Sequence, residues 1–193
     1  MAPGLLSNTP VLNETQRKQL HELARQSIAY GLEHGRAPEI NANDFDTELQ
    51  QKSATFVTLH RNKALRGCIG ILQPLRPLAE DVVHNAWAAA FSDTRFMPLA
   101  RNELKDLDIH ISILGTPEAL AFDSEQDLVE QLRPGIDGLI LEDGYHRGTF
   151  LPSVWEQLPS RHEFLRHLKQ KAGLPPDYWS DTLSVQRYTV EEF

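Results

Sequence analysis

The stretch ATFVTLHRNKALRGCIGIL, residues 54–72, decides how this chain folds. Thr55 to His60 is rich in β-branched and aromatic residues, and apolar residues recur from Leu65 to Leu72, a pattern that predicts two strands. The polar Arg61-Asn62-Lys63 between them predicts a tight turn, so the strands pair antiparallel. Alternation along the second strand puts Arg66, Cys68 and Gly70 on one face, and Leu65, Gly67, Ile69 and Ile71 on the other. The face of His60 depends on register. A symmetric turn on Asn62-Lys63 pairs Val57 with Cys68 and sends His60 to the opposite side, whereas a slip of one residue brings His60 round.

Outward from this hairpin, helices and strands interleave. Asn13 and Gln16 form a capping box for a helix over about 13–33, with Leu20, Leu23, Ala24, Ser27, Ile28 and Gly31 on one face and His34-Gly35 as its end. A polar linker reaches about Gln51. A helix over 78–91 buries Leu78, Val82, Ala86, Ala89 and Ala90, and SDTRFMPL breaks it. A short turn is expected at Glu103 to Lys105. LDIHISIL, residues 107–114, is a strand with Leu107, Ile109, Ile111 and Ile113 facing one way and Asp108, His110 and Ser112 the other. Ser124 with Asp127 starts a short helix. Asp143-Gly144 suits a type I′ hairpin turn. Ser153 with Glu156 and Ser160 with Glu163 read as capping boxes, the second opening a helix that ends at Gly173. Leu183 to Val190 closes the series as one strand. Strands that come as hairpins point to an α+β fold with antiparallel sheets.

The 193 residues suit one domain or two joined lobes. The N-terminal MAPGLLSNTP lacks the basic flank and apolar run of a signal peptide, and no stretch approaches the roughly 18 apolar residues of a membrane span. The expectation is a cytoplasmic protein. One cysteine allows no internal disulfide and no paired-cysteine zinc site. The formal net charge of -8 argues against a dedicated nucleic-acid binder. That average hides an asymmetry, because Leu49 to Ala79 contains no acid but holds Lys52, Arg61, Lys63, Arg66 and Arg76. Cys68 therefore lies in a positive stretch of an acidic chain.

Positive neighbours favour a thiolate, the nucleophilic form of cysteine, and Gly67 and Gly70 suit a strand that another backbone or a ligand must approach. Against this, free cysteine commonly packs as a small buried apolar residue. A cysteine enzyme also needs a base, for which His60, His84, His110 and His146 are available with no spacing that selects one. Asp93 and Arg95 in the break after the second helix, and Arg147 after the Asp143-Gly144 turn, can clamp a carboxylate or phosphate. The alternative for Arg95 is loop bracing through Asp93. His162 and His167, five apart on a helix, do not share a face, and no metal or cofactor is expected. P-loop, dinucleotide-binding and hydrolase-elbow patterns do not occur.

On these residues the chain resembles the AMMECR domain family, whose hallmark LRGCIG stands here at Leu65 to Gly70. AFSDTRFMPL, LDIHISIL, GIDGLILEDGYHRGTFLPSVW and FLRHLKQKAGL resemble further family segments in the same order. Thr94 departs from relatives that commonly place proline between the aspartate and arginine. The resemblance implies an α+β fold of two subdomains, each on an antiparallel sheet and sharing a cleft, the larger holding both termini. It also implies a setting, as component A beside a Memo-like protein and a radical S-adenosylmethionine protein, rather than a reaction. The combined expectation is a cleft lined by Arg66, Cys68, Arg147, Asp93, Arg95 and His110 that takes a small anionic or nucleotide-like ligand. Arg66 and Arg147 would anchor the anion, Cys68 would supply a thiol, and Gly67 and Gly70 would admit the ligand. The alternatives are a non-catalytic adaptor for those partners and, further off, RNA modification or binding.

Overall fold

The computed structural model describes residues 12–193. It divides into two compact units, one running to Leu114 and taking in Glu191–Phe193, the other Gly115–Val190.

In the first unit α1 (Glu14–His34) begins with the expected capping box, as Asn13 and Gln16 exchange side-chain and backbone hydrogen bonds. It ends where Gly35 takes a left-handed conformation, φ 69°. The polar linker holds a 3₁₀ turn (Ala42–Asp44) and the short α2 (Thr47–Gln50), neither of which has an amphipathic period. β1 (Ala54–Arg61) and β2 (Ala64–Gly70) form the hairpin, α3 (Leu78–Phe91) follows, and a 3₁₀ segment (Arg101–Asp106) leads into β3 (Leu107–Leu114). Leu20, Ala24 and Ile28 of α1, Val82, Ala86 and Ala89 of α3, and Val57, Leu59, Ile109, Ile111 and Ile113 of the sheet make one core. The apolar stripes read from the sequence are thus the faces that meet.

In the second unit β4 (Glu118–Ala119), α4 (Glu125–Gln131), β5 (Gly138–Asp143), β6 (His146–Phe150), α5 (Arg161–Lys171) and β7 (Ser184–Tyr188) follow in order. Its core stacks Trp155 flat on Phe164, ring centroids 3.7 Å apart, among Leu128, Leu139, Leu141, Leu165 and Leu168. β8 (Val190–Glu192) joins the sheet of the first unit, to which Glu191–Phe193 belong and where Phe193 and Ile111 exchange backbone hydrogen bonds.

The two four-stranded antiparallel sheets have the orders β2-β1-β3-β8 and β4-β7-β5-β6, so the α+β expectation holds. Three local expectations are corrected. The single terminal strand is two, β7 and β8, in different sheets. Thr189 separates them, and a period-2 pattern carries no information about which sheet a residue joins. Ser153 lies inside a 3₁₀ segment, Pro152–Glu156, that starts on proline after Leu151, so it caps nothing. The β5–β6 turn is Gly144-Tyr145 rather than Asp143-Gly144, with Asp143 paired to His146. Gly144 alone carries positive φ, 59°, as the first position of a type II′ turn requires.

The β1–β2 turn has the type I′ signature instead, with Asn62 at φ 53° and Lys63 at φ 65°. Lysine has no local means of relieving the left-handed conformation, and glycine has no Cβ to oppose it. Lys63→Gly is expected to raise the stability of the first unit by about 0.5–1 kcal/mol, read as a higher urea midpoint with an unchanged slope.

Candidate functional site

The hairpin register is symmetric near the turn, with Arg61 opposite Ala64 and His60 opposite Leu65. A bulge then inserts one residue at Arg66, so Leu59 pairs with Gly67 and Thr58 with Cys68. The slip left open by the sequence therefore occurs, and His60 joins the face of Thr58 and Cys68. That face is turned away from α3. A Cβ placed on Gly67 would point at the Ala89 carbonyl of α3, so its neighbour Cys68 points the other way. What comes close to Gly67 is helix backbone, and what comes close to Gly70 is the Phe56 ring and the Thr55 carbonyl.

On this open face Cys68, Thr58 and His110 stand in one row across β2, β1 and β3. All three are half-buried. The Thr58 hydroxyl donates to the Cys68 sulfur at 3.3 Å. Thr58 was not picked out from the sequence, because it becomes the neighbour of Cys68 only through the bulge. His110 lies two strands from Cys68, about 10 Å at the backbone, with Thr58 between. Its Nε2 lies 3.0 Å from Asp108 Oδ2, and its ring meets His60 edge-on at 5.2 Å. His84 sits on α3, its pKa lowered by burial. His146, in the second unit, has Nδ1 3.1 Å from the Ala172 carbonyl. Among the described residues no group of three or more His, Cys, Asp or Glu is placed to hold a metal ion.

β2 is an edge strand, and the Cys68 peptide is held from outside by the loop after α3. Its N–H donates to Asp93 Oδ2 at 2.9 Å, and its carbonyl accepts from Arg95 Nη2 at 3.4 Å. Arg95 in turn grips Asp93 through Nε and Nη2 at 2.9 and 2.7 Å. The Arg95 guanidinium, with the Cys68 and Arg95 backbone N–H groups, holds the Asp93 carboxyl far below the usual carboxylate range despite burial. The pair takes the place of a neighbouring strand along the exposed edge. Asp93→Ala leaves the Cys68 N–H without its charged acceptor, a bond of about 1.5–3 kcal/mol. Amide exchange at Cys68 is expected to speed up by about tenfold or more, with little change at core amides of β1; unchanged exchange would refute the clamp.

Of the five basic side chains in the positive stretch, Arg61, Arg66 and Arg76 pair with acids brought from elsewhere, and Lys52 and Lys63 have no ion pair among the described residues. Glu103 takes the Arg66 fork at 2.9 and 2.9 Å and Arg61 at 3.2 Å, and also accepts the Ala100 N–H at 2.8 Å. These contacts, Arg66 first, bring the Glu103 pKa down to about 2 and raise that of Arg66. Arg76 pairs with the buried Asp81, whose pKa is raised by burial even though Thr55, Asn85 and Arg76 all donate to it. The Phe96 ring has Arg66 and Arg95 at 5.9 and 5.5 Å from its centroid. From the sequence Glu103 reads as a turn residue. Its only signal was a carboxylate just before the strand that pairs with β1. Arg147 lies in the second unit and is paired with Glu142 at 2.8 Å. The first unit thus brings together Cys68, Thr58, His60, His110, Asp93 and Arg95, with Arg66 anchored beside them on Glu103.

No helix among the described residues is long and apolar enough to cross a membrane. A family model described as AMMECR1 matches residues 21–193. A protein of Methanothermobacter thermautotrophicus is 35% identical over 188 residues, covering 94% of this chain and 95% of its own length. One from Thermococcus gammatolerans is 39% identical over 185 residues, covering 90% and 87%. The crystal structure of an uncharacterised protein from Pyrococcus horikoshii superposes with a TM-score of 0.84 at 35% identity, over 94% of this chain and 92% of that one. With its sequence matched almost throughout and its two-sheet architecture matched by a solved relative, the chain belongs to the AMMECR1 family.

Proposed function

We propose that the half-buried sheet face around Cys68 binds a small anionic or nucleotide-like ligand beside a positioned thiol. In the setting that family resemblance implies, the protein does so together with a Memo-like protein and a radical S-adenosylmethionine protein. The observation that carries this reading is the direction of Cys68. A cysteine that only fills space belongs among buried apolar residues, whereas Cys68 stands on the face turned away from α3, its sulfur against the Thr58 hydroxyl. Cys68 acts as a nucleophile or adduct-forming thiol. His60, His110 and the Arg95 guanidinium, whose side chain is 55% exposed although paired, are the groups that meet the anion. Arg66 acts indirectly, by fixing the start of β2 through Glu103.

The test is alkylation of Cys68 by iodoacetamide in the folded chain and in denaturant at one pH, with and without ATP or inorganic phosphate. A folded-state rate at or above the unfolded one, slowed by either anion, supports the reading. A second reading, a non-catalytic adaptor for the same partners, is favoured by Leu65 on β2 and Met97 beside Phe96, which are 41% and 81% exposed. An inert thiol, with Cys68→Ser leaving partner capture unchanged, would decide for the adaptor.

A further inference from the structure

In the second unit the ladder between β4 and β7 stops early. Glu118 pairs with Arg187 and Ala119 with Gln186, and the last bond runs from Leu120 N–H to the Val185 carbonyl at 2.9 Å. Beyond it the two chains diverge, and the Ala121 carbonyl turns away to accept from Gln131 Nε2. They enclose an open groove of about 510 Å³ between residues 119–123 and 179–186, a volume in the range of ligand sites. Each bank contributes one aromatic ring and one carboxylate. Phe122 and Trp179 meet at 5.7 Å, and Asp123 and Asp181 are exposed on the rim. Among the described residues neither carboxylate has an ion-pair partner. The indole of Trp179 already has a cation nearby, the buried Lys169 at 5.9 Å, neutralised by Glu125 at 2.8 Å.

We propose that this groove takes an extended, arginine- or lysine-bearing segment of a partner protein. The segment lies extended in the groove where β4 leaves β7 and does not continue the ladder, because the Leu183 N–H already donates to the Ser180 carbonyl at 3.2 Å. Its cationic side chain sits between Asp123 and Asp181 against the aromatic pair. Charge complementarity selects this occupant, because residues 1–11 of this chain, MAPGLLSNTPV, contain no lysine or arginine. This site is separate from the Cys68 face and does not depend on that reading.

The test is titration of the full ¹⁵N-labelled chain with a capped pentapeptide, Thr-Val-Arg-Val-Thr, and with its glutamine counterpart, followed by amide shifts. The arginine peptide is expected to shift Asp123 and Leu183 to Gln186 with roughly millimolar or better affinity. Binding should weaken about fivefold for the glutamine peptide and for the double variant Asp123→Asn, Asp181→Asn, as expected for two exposed ion pairs. Both aspartates are exposed, so the variant keeps its spectrum elsewhere. Equal affinity for the two peptides, shifts mapping outside the groove, or no shift at all overturns the proposal. So does equal binding of free arginine, or the same shifts appearing with protein concentration alone, which would mark a second copy as the occupant.

Discussion

Gly67→Ala is expected to destabilise the first unit by about 3 kcal/mol, at the upper end of what overpacking costs. A Cβ built on Gly67 collides with the Ala89 carbonyl oxygen and lies 3.0 Å from its carbon. Both are helix backbone, so relief requires moving α3 off the sheet, and α3 carries Val82, Ala86 and Ala89 in the same core. The measurement is the urea midpoint of the variant at constant slope. An unchanged midpoint would mean that α3 does not press on β2 at this position. The glycine is also the neighbour of Cys68, so the same displacement moves the thiol. A loss of Cys68 reactivity in this variant reports packing, not a ligand contact at Gly67.

Glu103→Gln is expected to cost about 3 kcal/mol near neutral pH, the scale for removing one partner from a largely buried ion pair. Arg66 loses its counter-charge and Arg61 keeps only Asp106 at 3.8 Å, and the Glu103 side chain is only 12% exposed, so water offsets little. The loss carries a pH signature. The folded-state pKa of Glu103 is about 2, below the ordinary 4.5. Its carboxylate therefore contributes stability that is fully present above about pH 4.5 and disappears as pH falls through 2. Urea unfolding at pH 7 and at pH 3 should show the two proteins far apart at the first and closer at the second. A gap independent of pH would mean that shape, not charge, explains the effect.

The apolar periods were strong enough to read directly. α1, α3 and β3 bury the faces that their spacing marks, because an amphipathic element has only one way to hide its apolar stripe. Capping at Asn13, Ser124 and Ser160 was equally legible, since a cap is made within three residues of itself. Ser153 shows the limit of that rule, because proline at the next residue back started a tighter helix first. The turn at Gly144 was misplaced by one residue because Asp-Gly and Gly-Tyr both offer glycine, and the type is set by which strand residues pair.

Residues 54–72 by themselves determined a hairpin, a thiol on its second strand and a cluster of basic side chains, and the interleaved helices and hairpins of the whole chain determined an α+β protein of antiparallel sheets. Tertiary structure alone decided what that thiol meets. One bulged residue at Arg66 turned Thr58 and His60 to the face of Cys68. Asp93 and Arg95, about a helix away along the chain, supplied the missing strand at its edge. Glu103 and Asp81 engaged three of the five basic side chains, Arg61, Arg66 and Arg76, that stand without acids in the sequence. The physical reason is the same in each case. Alternation and capping are local and repeat along the chain, whereas register slips and ion pairs join residues distant in sequence, and their partners are fixed only when the sheet and helices pack.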